Sequence, residues 1–290
     1  MKINRARNIG FCSGVKRAFK LATDALKKGK IEGREVYFLG DLIHNSDVIS
    51  LIRSSGGKVV YSHEEIPEGS IVILRAHGTP RDVLDYFEKH EITSVDTICP
   101  IVKKNYHVAL SFLRKGWKVF LVGKPGHPEV VSLISHIPEV VLLPVPFRSG
   151  DWEDAEFEKG VIIFQTTVFA EDANKYLEIL SRKGKIKLVN TICPEVVSRL
   201  KESLTLASES EYVLVIGDKK SSNTNTLLQN VKTVNGRAFL VSSPGDIPEE
   251  VFMARSVAVL SGTSAPDFQI KRILEALKHG RRKFPARRSS

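Results

Sequence analysis

TICP occurs at Thr97–Pro100 and again at Thr191–Pro194. It carries two of the three cysteines in this 290-residue chain, and the third, Cys12, lies in GFCSGV near the start. The three are spaced by about a third of the chain, and aligning the chain on them shows that their surroundings repeat as well. Each cysteine opens a helical pattern: SGVKRAFKLATDALKKG, VKKNYHVALSFLRKG and PEVVSRLKESLTLASES. In the first, Val15, Ala18, Phe19, Ala22, Ala25 and Leu26 share one face, the spacing of an amphipathic helix. A β-branched-rich strand follows each time and closes on glycine: REVYFLG at Gly40, WKVFLVG at Gly123 and EYVLVIG at Gly217. Four residues beyond the glycine stand His44, His127 and Ser221. A second strand and loop complete each unit: SIVILRAHGTP with His77, GVIIFQTTVFA with Thr166, and SVAVLSGTSAP with Ser264.

Strands that alternate with helices predict an α/β fold with parallel sheets. The threefold order predicts three pseudo-threefold-related α/β units, over residues 1–96, 97–190 and 191–280, with a basic tail at 281–290 expected to be disordered. Such an arrangement would bring three helix N-termini, each with a cysteine, to one point. Ligands of parallel sheets bind at the carboxyl ends of the strands, where the six polar loops lie.

Composition narrows the class. Apolar residues make up 42% and charged residues 26%, which fits a soluble protein with a core. The N-terminus MKINRARNIGFC is basic without an apolar stretch behind it, so a cytoplasmic protein without a membrane partner is expected. There cysteines stay reduced, and an odd number argues against a disulfide framework. The net charge is +10, and much of the excess lies in the C-terminal KHGRRKFPARRSS. A nucleic-acid partner is expected at most through that tail, because aromatic residues are not interleaved with its charges apart from Phe284.

Three distant thiols without a CxxC pair are a poor match for structural zinc, although histidines could complete such a site and a zinc-dependent or non-redox phosphate-binding enzyme stays an alternative. A [4Fe–4S] cluster matches better. Four cysteines normally hold the cube, so three leave one iron without a protein ligand, and that iron can act as a Lewis acid. In the loops, SSNTN (Ser221–Asn225) precedes a helical pattern and suits a phosphate, or equally an ordinary helix cap. His44, His77 and His127 fall in strand-end loops and can donate to phosphate oxygens. Glu129, in GHPE, is a candidate general acid if burial raises its pKa, or else a first-turn helix glutamate. Neither a GxGxxG fingerprint nor a Walker A sequence occurs, so electrons would come from a partner protein.

GFCSGVKRA, His44–Asn45, AHG at Ala76–Gly78, CP at Cys99, GHPEV, QTT at Gln165–Thr167, SSNTN and SAPD together resemble the 4-hydroxy-3-methylbut-2-enyl diphosphate reductases, the last enzymes of the methylerythritol phosphate route to isoprenoids. The resemblance runs from residue 1 to about 278. It implies three α/β units around one central [4Fe–4S] cluster per chain, held by Cys12, Cys99 and Cys193 with one iron lacking a protein ligand. It places His44, His77, His127, Ser221, Ser222, Asn223 and Ser264 on the substrate diphosphate. Glu129 falls at the proton-delivering glutamate and Thr166 near the substrate hydroxyl. The implied reaction is a two-electron reductive dehydroxylation that yields isopentenyl and dimethylallyl diphosphate, fed by a ferredoxin- or flavodoxin-type donor. Four positions depart from what is common in that family. Glu195 and Val196 stand in place of Ala-Thr, Lys103 in place of threonine, and Leu200 in place of the glutamine that often follows the arginine matched by Arg199.

Overall fold

The computed structural model describes residues 1–169 and 173–280. The expected disordered tail at 281–290 lies outside the described residues. In chain order the elements are β1 (Lys2–Arg5), α1 (Ser13–Glu32), β2 (Val36–Leu39), α2 (Ser46–Ser54), β3 (Lys58–Val60), β4 (Ile71–Ile73), α3 (Arg81–Lys89) and β5 (Thr93–Val95). There follow α4 (Pro100–Leu113), β6 (Lys118–Gly123), α5 (Pro128–His136), β7 (Val141–Pro144), β8 (Lys159–Phe164), α6 (Asn174–Leu180) and β9 (Lys185–Leu188). The last are α7 (Pro194–Ser208), β10 (Tyr212–Ile216), α8 (Ser222–Val234), β11 (Ala238–Val241), β12 (Ser256–Ser261) and α9 (Asp267–His279).

The strands form three four-stranded sheets, ordered β3-β2-β4-β5, β7-β6-β8-β9 and β1-β12-β10-β11. Every pairing is parallel. The six glycine-ended and loop-ended strands read from the sequence are the two central strands of each sheet. One edge strand crosses the sequence division: β1 comes from the first repeat but pairs with β12, Ile3 opposite Val257.

By compactness the chain divides into two units. One holds Met1–Lys16, Ile43–Ser54 and the chain from Pro194; the other holds Arg17–Leu42 and Ser55–Cys193. In the first unit, alternate residues of the central strands point to opposite faces, as strand geometry requires. Val213, Val215, Ala258 and Leu260 cluster with Leu227, Leu228 and Val231 of α8. Leu214, Ile216, Val257 and Val259 cluster with Ile270, Ile273, Ala276 and Leu277 of α9. The second unit repeats the scheme. Val119, Leu121, Val161 and Ile163 meet Val130 and Leu133 of α5, while Phe120, Val122, Ile162 and Phe164 meet Tyr176 and Leu180 of α6. Tyr37, Leu39, Val72 and Leu74 meet Val83 and Phe87 of α3. Two-sided burial is why the central strands read as unbroken apolar runs. Among the described residues, no helix is long and apolar enough to cross a membrane.

The repeated threonine of TICP has a structural task. Thr97 Oγ1 donates to the carbonyl of Leu74 at 2.5 Å, at the end of β4. Thr191 Oγ1 donates to the carbonyl of Phe164 at 2.8 Å and accepts from the Phe164 amide at 2.8 Å, at the end of β8. In the first repeat the roles are exchanged. Gly10 stands two residues before Cys12, at φ +86°, and its amide donates to Ser261 Oγ at 2.8 Å, at the end of β12. A Cβ at Gly10 would lie 2.9 Å from Asp267 Oδ1, so the position admits no larger residue without a shift. Thr191→Val keeps the shape and strands the buried Phe164 amide, while the Phe164 carbonyl keeps Asn105 Nδ2. It should lower the denaturant-derived stability by about 2 kcal/mol with the fold retained.

Candidate functional site

The three cysteines share three features. First, each immediately precedes a helix, α1, α4 or α7. Second, its side chain is half-buried, and none of the three is in a disulfide. Third, its amide donates to a carbonyl in the loop that follows a central strand. Cys12 N–H reaches Thr263 at 3.2 Å, Cys99 reaches Ala76 at 3.0 Å and Cys193 reaches Thr166 at 2.9 Å. At Cys12 the sulfur itself caps the helix, accepting from Val15 N–H at 3.4 Å.

The sixth residue after each cysteine points at the core. These are Ala18, Asn105 and Arg199, all buried. Asn105 Nδ2 donates to the Phe164 carbonyl at 2.8 Å. Arg199 reaches the Ser261 carbonyl at 3.1 Å, Ser261 Oγ at 3.0 Å, the Gly262 carbonyl at 3.2 Å and the Gly10 carbonyl at 2.9 Å. Arg199 therefore ties the Cys12 approach to the loop that leads to Ser264. Composition and motif reading do not single out Asn105. The equal spacing from the cysteines is the signal that could have found it.

In the unit that starts at Met1, the polar loops gather. Ser221 caps α8, its Oγ accepting from Thr224 N–H at 3.3 Å. Ser264 Oγ lies 3.2 Å from Ser221 Oγ and 3.4 Å from the His44 carbonyl, to which it donates. Asn223 Oδ1 accepts from Thr263 N–H at 3.1 Å, and Ser222 is the first residue of α8. Asn45 caps α2 through Val48 N–H at 3.2 Å and donates to Gln269 of α9 at 3.3 Å. His44, Ser221, Ser222, Asn223 and Ser264 thus sit where α2, α8 and α9 begin. That combination of hydroxyls, amides and helix N-termini suits an anion.

In the unit that starts at Arg17, His77 and His127 meet edge to face with ring centroids 5.6 Å apart. His127 caps α5, and its Nδ1 accepts from Glu129 N–H at 3.2 Å. In the neutral ring the proton is then on Nε2. Glu129 is 2% exposed. Its Oε1 accepts from Thr166 N–H at 2.8 Å, and its Oε2 lies 2.7 Å from Thr166 Oγ1. Burial raises its pKa to about 7, against the lowering effect of the two Thr166 contacts. A carboxyl group that titrates near neutrality, with one oxygen on a hydroxyl, can hold a proton and pass it to Thr166 Oγ1. The His77 loop is braced from behind. Gly78 sits at φ +106°, Ser132 Oγ donates to the Thr79 carbonyl at 2.8 Å, and Tyr106 donates to Ser132 Oγ at 2.7 Å.

The departures from the family pattern have partners too. Lys103 pairs with Asp96. Val196 is buried, and Leu200 packs on the cluster of Val213, Val215 and Leu227. Glu195 accepts from Ser13 N–H with both oxygens, each at 3.2 Å. Among the described residues, no three His, Cys, Asp or Glu side chains are grouped as a ready metal site. A thiol at a helix start is a donor of the kind a soft metal or an iron–sulfur cluster takes.

The family model of the LytB proteins matches residues 3–278. The chain belongs to the LytB family. It is 34% identical over 281 residues to the 4-hydroxy-3-methylbut-2-enyl diphosphate reductase of Thermotoga maritima, with 96% of each chain covered. A solved structure of (E)-4-hydroxy-3-methylbut-2-enyl diphosphate reductase superposes with a TM-score of 0.74 at 28% identity, covering 96% of this chain and 99% of that one. The LytB fold extends further: the reductase from Plasmodium falciparum superposes with a TM-score of 0.85 at 20% identity, covering 99% of this chain and 91% of the other.

The raised pKa of Glu129 is also a stability statement. The folded state binds this proton more tightly than the unfolded chain, for which the reference value is 4.5. The contribution is therefore fully present below 4.5 and is lost as pH rises through 7. Relative to Glu129→Gln, the parent should lose about 3 kcal/mol of stability across that window, measured by denaturant unfolding at a series of pH values.

Proposed function

We propose that this LytB-family chain reduces (E)-4-hydroxy-3-methylbut-2-enyl diphosphate to isopentenyl and dimethylallyl diphosphate, and that Cys12, Cys99 and Cys193 hold one [4Fe–4S] cluster with one iron lacking a protein ligand. In this reading the repeats at 1–96, 97–190 and 191–280 each contribute one cysteine. The observation that carries it is the equal seating of the three thiols, each before a helix and each with its amide on a strand-end loop. A cluster so held supplies electrons and a Lewis-acidic iron.

The chain's own residues supply the rest. His44, His77, His127, Ser221, Ser222, Asn223 and Ser264 take the diphosphate, with donors and helix N-termini that match its charge. Binding energy at this remote group positions the reacting end. The reaction takes two electrons and two protons. The allylic C–O bond breaks, its oxygen leaves as water, and a C–H bond forms at either of two carbons. Glu129 holds a proton at Oε2 and hands it on through Thr166 Oγ1, 2.7 Å away. The electrons come from a ferredoxin- or flavodoxin-type protein.

The chain reconstituted without oxygen should be brown and contain iron and sulfide in equal amounts. It should turn over the substrate with a chemical reductant. A colourless preparation with stoichiometric zinc would overturn the reading. Glu129→Gln should keep the cluster and substrate binding while turnover falls by roughly 10²–10⁴-fold. Near-parental turnover removes Glu129 from the proton path.

A further inference from the structure

Helix α7 grips the segment that leads into Cys12. Glu195, Ser198 and Glu202 recur at spacings of three and four, so they share one face. Glu202 accepts from the amides of Arg7 at 2.6 Å and Asn8 at 3.0 Å. Ser198 Oγ accepts from Asn8 Nδ2 at 3.3 Å. Arg199, beside Ser198, holds the Gly10 carbonyl at 2.9 Å. Glu195 completes the row on the amide of Ser13, the residue after Cys12.

The Glu195 contact differs from the rest in what it does to the sulfur's surroundings. Ser13 is the first residue of α1, and its N–H is one of the amides at the helix start. Val15 N–H is spent on Cys12 Sγ and Lys16 N–H on the Cys12 carbonyl. Glu195 takes the Ser13 N–H, with both oxygens equidistant at 3.2 Å. A carboxylate thus stands one residue from the thiol, and a donor that could have turned toward sulfur is occupied. Both effects have the same sign. A nearby negative charge makes adding an electron to a cluster harder, and each N–H lost to sulfur removes a stabiliser of the reduced form.

We propose that Glu195 is a positioning residue that keeps the reduction potential of a cluster bound through Cys12 low. The inference rests on the cluster reading given above. It assigns a task to the residue that replaces alanine in the family pattern. A lower potential makes the reduced cluster a stronger donor to the substrate and restricts which partner proteins can reduce it.

The test is a redox titration of the full chain, reconstituted with iron and sulfide without oxygen, followed by absorbance and electron paramagnetic resonance. Glu195→Gln keeps an acceptor for Ser13 N–H and loses only the charge. Glu195→Ala loses both. Glu202→Gln, on the same face but bonded to Arg7 and Asn8, is the packing control. The expected order is a potential less negative than the parent's in Glu195→Gln, less negative again in Glu195→Ala, and unchanged in Glu202→Gln. Equal potentials in the parent and both Glu195 variants would overturn the inference and leave the reading of the site standing. A shift in Glu202→Gln as large as that in Glu195→Gln would overturn it as well, by assigning the effect to loosened packing. A Glu195→Gln chain that folds but no longer takes up iron would replace potential control with a purely structural role. A parent that takes up no iron and sulfide brings down the cluster reading, and this inference with it.

Discussion

A parallel strand that ends in a polar loop must find partners for the amides and carbonyls its sheet no longer satisfies. Three times in this chain the partner is a cysteine. The Cys12, Cys99 and Cys193 amides close on Thr263, Ala76 and Thr166, each just past the end of a central strand. The consequence is mutual placement. The loop that carries a polar residue and the helix start that carries a thiol cannot move independently. Thr97, Thr191 and the Gly10–Ser261 pair reinforce the same joint one step earlier in the chain.

The two polar groupings differ in chemistry because they differ in burial and donors. Around Ser221 and Ser264 there are hydroxyls, an amide and helix N-termini, and Arg199 supplies a fixed positive charge behind them. That suits a ligand whose charge is permanent. Around Glu129 the carboxyl group is buried, its two oxygens on the amide and the hydroxyl of Thr166. Desolvation dominates there, so the group titrates near neutrality and can exchange a proton instead of serving as a constant charge. A fixed charge and an exchangeable proton thus have different surroundings in one chain.

Legibility in the sequence followed burial. The six central strands are buried on both faces, so apolar β-branched runs announce them. Four of the six edge strands, KINR, KVV, TSV and KIKL, are short and half-exposed, and their mixed composition carries no such run. Local periodicity could not show that β1 joins the sheet of β10 and β12, because that pairing spans nearly the whole chain. The strand-end positions of the histidines, serines and Thr166 were legible from the repeat. The +6 spacing of Asn105 and Arg199 was present in the sequence as well, but an asparagine and an arginine on a helix read as solvent-facing until the structure shows them buried.

By itself the sequence determined the threefold repeat, the alternation of helix and strand, the single cysteine per repeat and the polar residues at strand ends. All of these are local patterns, and local patterns survive in one dimension. Tertiary structure alone decided that the threonine of TICP binds a strand end, that Glu129 loses its water and acquires Thr166, and that Glu195 turns to the amide beside Cys12. The reason is physical. A hydrogen bond between residues 182 apart in the chain, such as Ser13 to Glu195, depends on where two helices start in space, and no window of sequence contains both.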